Sequence, residues 1–338
     1  MSTGEFPIPR SVLITGIAGY IGSTVTARLL QLGVRVTGLD DLGRGHADAV
    51  PSHVPIIRGN VCDEDAVARA LNLLDRPPEA VIHLAAWIQV GESVQRPEQY
   101  QQINAVGTQA VTQGCLDAGV PSLVLASSAA VLATKADGHF FAEDADVGPE
   151  SPYGSSKLAA ERTLAAATQT GRISATALRL FNVAGAASQC AERHEPETHI
   201  IPLALRASFG LSPPLQLYGL DWPTPDGTCL RDYVHVEDVA EAMIRAAGWG
   251  VRQTAQGDAA FSLVHVGTGR STSVLEVIEA VARVTGRPVP YVALPRRPGD
   301  TAALVCNPLK LQALFGISPD ANLQRMVRDA CQALRLGA

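Results

Sequence analysis

A short apolar run, Ser11-Val-Leu-Ile-Thr15, opens directly into Gly16-x-x-Gly19-x-x-Gly22 and then into a helical pattern that ends near Leu32. A run of this length suits a strand buried on both faces, and the 3.6-residue pattern after it suits a helix. The spaced glycines allow a tight turn and let backbone N–H groups at the helix N-terminus approach an anion. A second apolar run, Val34-Arg-Val-Thr-Gly-Leu39, ends at Asp40. Strand, helix and strand in this order make a βαβ unit, whose two strands must be parallel. An acid closing the second strand can accept hydrogen bonds from a ribose, so the unit predicts a dinucleotide site. Gly16, Gly19, Tyr20, Ile21 and Gly22 form its pyrophosphate turn, and Asp40 and Asp41 would repel a 2′-phosphate, which favours NAD over NADP.

The alternation continues. Apolar runs at Val54–Arg58, Ala80–Leu84, Ser122–Ala126 and Ile173–Leu180 are separated by the helix-length segments Asp63–Leu74, Pro97–Ala118 and Tyr153–Gln169. This predicts an α/β fold, a doubly wound parallel sheet of Rossmann type with helices on both faces. Asn60 and Val61, and Leu84, Ala85 and Ala86, end the third and fourth strands, where a dinucleotide would lie; His83 reads as a packed strand residue. After residue 182 the rhythm breaks into proline-bearing stretches, Ser188–Pro196, Ser212-Pro-Pro214 and Trp222–Gly227. Such a change predicts an insertion over the C-terminal edge of the sheet. The α/β pattern returns in Asp232–Ala247 and Phe261–Val266, and a helix at Val274–Thr285 leads to Leu294–Asp300. Residues 1–182 plus 229–267 are assigned to the dinucleotide domain, and 183–228 plus 268–338 to a smaller mixed α/β substrate domain. Residues 1–10 read as a frayed lead-in.

Tyr153 and Lys157, within Ser151-Pro-Tyr-Gly-Ser-Ser-Lys157, fall on one face of a helix. A free tyrosine titrates near ~10, and a neighbouring ammonium favours the phenolate, so the pair predicts a proton-transfer device. Only three of the 27 basic residues are lysine, which sets Lys157 apart from surface decoration. Ser128, in Ser127-Ser128 at the end of the preceding strand, can hydrogen-bond a substrate hydroxyl and align it with the phenol. Together with the dinucleotide site, these residues predict removal of a hydroxyl proton while hydride leaves the same carbon.

The net charge of −6 and the lack of a basic run argue against nucleic acid or an anionic membrane as the main partner. Arg231 and Arg297 fall in segments expected to face the cleft, where planar guanidinium forks suit a diphosphate. No apolar stretch reaches the ~18 residues of a bilayer span. Six widely spaced cysteines without a C-x-x-C pair suit a reducing compartment, so a soluble, cytoplasmic protein is expected. The eight histidines show no H-x-x-x-H or H-E-x-x-H pattern, and His194 and His199 lie in the irregular stretch without a cysteine pair, so no metal is expected.

From about residue 11 to about 316 the chain closely resembles the UDP-glucose (UDP-galactose) 4-epimerases of the extended short-chain dehydrogenase/reductase family. The resemblance rests on the glycine and Tyr/Lys motifs together with Val90-Gly-Glu-Ser-Val-Gln-Arg-Pro97, Asn104-x-x-Gly-Thr108, Leu178-Arg-x-Phe-Asn182-x-x-Gly185, Pro223-Thr-Pro-Asp-Gly-Thr228, Arg231-Asp-Tyr-Val-His235-Val and Arg297-Pro-Gly-Asp300. It implies that Tyr153, helped by Ser128 and Lys157, takes the O4 proton of a UDP-sugar while hydride passes to a retained NAD. Lys157, Ser127 and Phe181 would join the cofactor site, and Asn104 would contact the cofactor or the active-site hydrogen-bond network. Asn182, His199, Ile200, Leu203, Leu217, Tyr218, Arg231, Arg297 and Asp300 would hold the UDP-sugar, with Leu304 at the gate that screens N-acetylated sugars. A homodimer through helices near Pro97–Ala118 and Tyr153–Gln169 is also implied.

Three positions depart from the usual pattern. Ile88-Gln89 stand where a lysine is common, Leu132-Ala133 replace Tyr-Gly, and Leu180 replaces an aromatic, which implies a more apolar wall around nicotinamide and sugar. Dehydratases and uronate decarboxylases of this family carry an acid after the catalytic serine or threonine, whereas Ala129-Ala130 follow Ser128 here. A 4-epimerase of UDP-glucuronate, UDP-N-acetylglucosamine or a UDP-pentose would use the same C4 machinery. A non-catalytic dinucleotide-binding protein would usually have lost the Tyr/Lys pair.

Overall fold

A computed structural model describes residues 6–133, 140–187, 190–297 and 300–336. The beginning of the lead-in, Ser188 and Gln189 of the irregular stretch, and Pro298-Gly299 of the Arg-Pro-Gly-Asp motif lie outside the described residues. Seven parallel strands form the central sheet: β1 (Ser11–Thr15), β2 (Arg35–Asp40), β3 (Ile56–Arg58), β4 (Ala80–His83), β5 (Ser122–Ser128), β6 (Ser174–Leu180) and β7 (Phe261–Val266). Their spatial order is β7-β6-β5-β4-β1-β2-β3. The order reverses between β1 and β4, so a crevice opens at the C-terminal ends of those two strands.

Burial on both faces explains why these strands read as apolar runs. On one face Val12, Ile14, Ile82, Val124 and Leu178 pack under the helices Tyr20–Gln31 and Val236–Ala255. On the other, Leu13, Val81, Leu123, Leu125 and Ala175 pack under Glu64–Leu71, Gly107–Ala118 and Pro152–Thr168. The sheet and its flanking helices thus match the doubly wound expectation. The segment expected to be one helix over Pro97–Ala118 is interrupted: Gln101–Val106 forms a π-helical turn between Pro97–Tyr100 and Gly107–Ala118. Such a turn shifts the side chains that follow it and is often found beside functional sites.

A third core lies beyond the sheet. Helices Ile200–Ser208, Val274–Thr285 and Leu323–Leu336 enclose Ile201, Leu205, Leu217, Val277, Val281 and Val327. The strand Leu215–Tyr218 pairs in parallel with Tyr291–Leu294, and Leu230–Arg231 lies between Thr272–Ser273 and Ala303–Leu304. These elements stand over the C-terminal end of the sheet.

Candidate active site

Gly16 has φ +71°, and a Cβ there would lie 2.6 Å from the Ala85 nitrogen; at Gly22 a Cβ would lie 2.2 Å from the Gly16 oxygen. Only glycine allows β1, the turn and the helix Tyr20–Gln31 to approach this closely. That helix has Gly19 at its N-cap, no side-chain cap and no acidic residue in its first turn. Its leading N–H groups and positive dipole end are therefore free for an anion. Beside them, Asp40 is held by N–H donors, Ala18 to Oδ2 at 2.9 Å and Leu42 to Oδ1 at 2.8 Å. Burial pushes its carboxyl up from the usual range, and these two bonds oppose the push. Asp41 accepts from the Gly43 N–H at 2.8 Å and from Asn60 Nδ2 at 3.4 Å. A donor-lined cradle too tight for a Cβ, flanked by two carboxylates, fits the pyrophosphate and ribose of a dinucleotide.

This cradle is one end of a cleft of about 1250 Å³. Tyr20, Ile21, Val61, Leu84, Ala85, Ala86, Ser127 and Phe181 line it near the glycines, with Ser128, Tyr153 and Lys157 further in. Asn182, His199, Ile200, Leu203, Leu217, Tyr218, Arg231, Arg297, Asp300 and Leu304 line the other end. Asn104 is the exception among the expected residues. Its Oδ1 accepts from the Trp87 N–H at 2.8 Å, and Nδ2 donates to the Trp87 carbonyl at 2.9 Å and to Ser156 Oγ at 3.0 Å. At 1% exposed and bonded to Trp87 and Ser156, it belongs to the hydrogen-bond network behind the wall. Leu132 also leaves the wall, packing with Phe141, Phe181 and Cys306, whereas Ile88 and Leu180 remain on it.

The reactive side chains are placed by local structure. Ser151 Oγ caps the Tyr153 helix by accepting from the Gly154 N–H at 3.1 Å, and Pro152 takes the first helical position. A Cβ on Gly154 would lie 2.2 Å from the Ala130 oxygen, so this glycine lets the helix start against the turn that follows Ser128. Ser128 is thereby brought into hydrogen-bonding contact with the Tyr153 hydroxyl. Lys157 Nζ donates to the Ala126 carbonyl at 2.9 Å. Burial lowers its pKa to about 8, opposed by the charge of Glu161.

The phenol corrects the sequence expectation. Burial raises the Tyr153 pKa above its ordinary value, and the opposing influence is the Ser128 hydrogen bond rather than Lys157. His83 is the packed strand residue expected: its ring nitrogens meet Thr15 Oγ1 at 2.6 Å and Thr108 Oγ1 at 3.0 Å. Burial, with the Lys157 charge, drops its pKa to about 3.

Three groupings had no signal in the local sequence pattern. Behind Lys157, Glu161 receives Ser127 Oγ at 2.5 Å and Arg179 through Nε at 2.9 Å and Nη2 at 2.8 Å. At the wall, Arg44 lies 4.2 Å over the Trp87 ring and binds both oxygens of Glu92, at 2.8 and 2.7 Å. Tyr100 joins this group, edge-on to Trp87 and Tyr153 at 5.5 and 6.3 Å. Beside Ile88-Gln89, therefore, Glu92 forms an ion pair with Arg44 of a distant loop. On the irregular stretch after residue 190, Glu192, His194 and His199 come together.

The substrate end is cationic and prearranged. Arg231 donates through Nη1 to the carbonyls of Leu230 and Thr301, both at 2.9 Å, and its Nη2 lies 3.5 Å from Asp300. The Arg297 guanidinium stacks 3.8 Å over Tyr218. Two such forks at one end of a cleft suit a diphosphate.

Residues 12–257 match the NAD dependent epimerase/dehydratase family. The chain is 37% identical to UDP-glucose 4-epimerase of Azospirillum brasilense over 325 residues, 95% of this chain and 91% of that protein. It is 38% identical to UDP-glucose 4-epimerase of Streptomyces lividans over 319 residues, 94% of each. The crystal structure of UDP-glucose 4-epimerase from Brucella ovis in complex with NAD superimposes with a TM-score of 0.89 at 35% identity, covering 96% of this chain and 98% of that one. Because the match takes in the glycine cradle and the Tyr153 helix, and the relatives align nearly end to end, this chain belongs to the NAD dependent epimerase/dehydratase family.

Proposed function

We propose that the protein interconverts UDP-sugars by inversion at C4, UDP-glucose and UDP-galactose first among them, through a transient 4-keto sugar. The observation that carries this reading is the placement of Ser128, Tyr153 and Lys157 between a dinucleotide cradle and two arginines in one cleft. The dinucleotide is NAD, held by Gly16, Gly19, Gly22, Asp40 and Lys157; when bound it supplies the acceptor and donor of hydride. Tyr153 takes the proton of the C4 hydroxyl and later returns it, a general acid–base role. Ser128 aligns the sugar oxygen with the phenol. Lys157, anchored on the Ala126 carbonyl, would hold the nicotinamide ribose. Arg231 and Arg297 bind the diphosphate, so the sugar can turn while UDP stays fixed.

In this reading residues 1–182 plus 229–267 form the NAD-binding domain, which also lends Ser128, Tyr153 and Arg231 to the substrate, and residues 183–228 plus 268–338 form the nucleotide-sugar-binding domain. The protein pairs as a homodimer through the helical segments near Pro97–Ala118 and Tyr153–Gln169, which a monomeric mass in solution would refute. Among the described residues no helix is long and apolar enough to cross a membrane. All six cysteines are free thiols, which supports a cytoplasmic location.

The test is incubation of purified protein, without added cofactor, with UDP-glucose, UDP-glucuronate or UDP-N-acetylglucosamine, and chromatography of the products. UDP-galactose from UDP-glucose is expected. Tyr153→Phe should retain NAD and UDP but lose about 10²–10⁴-fold in turnover, the usual contribution of a positioned acid–base group. Near-normal turnover in that variant would sink the mechanism.

A further inference from the structure

The irregular segment 190–199 runs along the cleft between the two halves of the site. It is tied to the dinucleotide side at three points. Arg193 binds Asp48 through both terminal nitrogens, at 3.0 and 2.8 Å, its carbonyl lies 3.2 Å from His46 Nε2, and Gln89 Nε2 donates to the Pro196 carbonyl at 2.9 Å. Folded in this way, it brings Glu192, His194 and His199 together, although their spacing in the chain is E-x-H-x-x-x-x-H.

We propose that Glu192, His194 and His199 form a binding site for one divalent first-row transition ion, zinc by its donor set, which fastens the 190–199 segment across the cleft. One ligand atom from each residue, a carboxylate oxygen and two imidazole nitrogens, lies within 4.8 Å of the others. Tetrahedral zinc with bonds of ~2.0–2.1 Å places its ligands ~3.3 Å apart; Glu192 already contacts His194 Nδ1, so these two part by a small side-chain rotation to admit the ion. Two imidazoles and a carboxylate suit zinc better than calcium or magnesium, which prefer oxygen alone. Three protein ligands leave a fourth position for water.

Two further observations favour a cation here. Glu197, with its side chain 3% exposed, accepts from His199 Nδ1 at 2.8 Å and from the N–H groups of Thr198 and His199, both at 2.7 Å. A carboxylate behind an imidazole is the usual outer partner that orients a metal-binding histidine, and with Nδ1 given to Glu197 the ligand atom of His199 is Nε2. The Glu192 side chain is only 10% exposed, so two carboxylates are removed from water here, while the adjacent Arg193 is engaged with Asp48. Their charge, after burial itself, helps push the phenol of neighbouring Tyr20 well above its ordinary range. Without an ion the His194 and His199 rings pair with these carboxylates, and a bound cation would take over that neutralising role. Because the segment touches Asp48 and Gln89 on one side and His199 opens the helix Ile200–Ser208 on the other, the ion would join cofactor side to substrate side.

The test uses the full chain, treated with EDTA, dialysed, and titrated with zinc chloride by calorimetry, with bound metal measured by mass spectrometry. One zinc per chain is expected, with affinity reduced at least ~10-fold in His194→Ala, His199→Ala and Glu192→Gln, the scale seen when metal-site partners are lost. Cys62→Ser, which removes the one partly exposed thiol among the six, should leave binding unchanged. Cobalt titrated into the unaltered protein should give the intense visible bands of a four- or five-coordinate site, a readout independent of whether the variants fold. Absence of stoichiometric binding, leaving only imidazolium–carboxylate pairs, would overturn the proposal. Equal binding in the three variants and a weak octahedral cobalt spectrum would each overturn it as well.

Discussion

Replacing Glu161 with leucine probes a charge pair that supports the site without lining it. Glu161 and Arg179 are 5% and 2% exposed, and Arg179 Nη1 is buried with no hydrogen-bond partner. The bonds from Arg179 Nε and Nη2, at 2.9 and 2.8 Å, are charge-assisted and worth ~1.5–3 kcal/mol each. Glu161→Leu removes both and strands a guanidinium in the core, so a loss of about 3–5 kcal/mol is expected. The double variant Glu161→Leu/Arg179→Met removes both charges together and should recover to within ~1–2 kcal/mol of the parent, because apolar pairs replace buried ion pairs well. Urea unfolding of the three proteins measures this. A single variant within ~1 kcal/mol of the parent, or a double variant no better than the single, would refute the reasoning. The change also reaches the chemistry. The Glu161 charge is what opposes burial at Lys157, so its loss should move the lysine pKa further below about 8 and bring the alkaline fall in activity to lower pH.

Other consequences follow from the same geometry. Gly22→Ala puts a methyl group 2.2 Å from the Gly16 oxygen and should abolish copurification of NAD, read from the absorbance of the denatured extract. Lys157 has a native pKa of about 8 against 10.5 in the unfolded chain, so between those values the unfolded chain binds more protons. Its contribution to stability therefore rises with pH through that window, and Lys157→Met should flatten the rise in urea midpoint between about pH 7.5 and 10. Arg231→Met removes a fork already oriented by two carbonyls and should weaken UDP binding by ~10–100-fold in calorimetry, the value of a charged hydrogen bond, with NAD retention unchanged.

The sheet was legible because its signals are local. Burial on both faces writes β1, β2, β4, β5 and β6 as apolar runs, and the cap and proline of Ser151-Pro152 mark the start of the Tyr153 helix within three residues. The glycine cradle and the Tyr/Lys pair were legible for the same reason. The π-helical turn at Gln101–Val106 carries no such mark, since its residues fit an ordinary helix and the shift is settled by the fit of Asn104 between Trp87 and Ser156. Arg44 meets Glu92 across 48 residues, and Glu161 meets Arg179 from helix to strand; no periodicity connects such partners. Helices Ile200–Ser208 and Leu323–Leu336 pack their apolar faces in a core assembled from three separated segments, so irregular neighbours hid them.

The phenol shows most clearly what spacing alone leaves open. Two residues four apart on a helix share a face, and from that the ammonium was expected to draw the phenol toward neutrality. Burial acts on both groups, however, and disfavours each charged form. It raises Tyr153 from a starting value of 10.0 and lowers Lys157 to about 8, so the first proton to leave this pair as pH rises is the lysine's. The Ser128 hydrogen bond is the chain's own contribution toward the phenolate. NAD-free protein should accordingly show no tyrosinate from Tyr153 below pH ~10, measured as the ultraviolet difference between parent and Tyr153→Phe. Ser128→Ala should push that ionisation higher still. Tyrosinate appearing near pH 7 in the NAD-free parent would show that Lys157 activates the phenol unaided, and would return the mechanism to the simpler form that the spacing suggested.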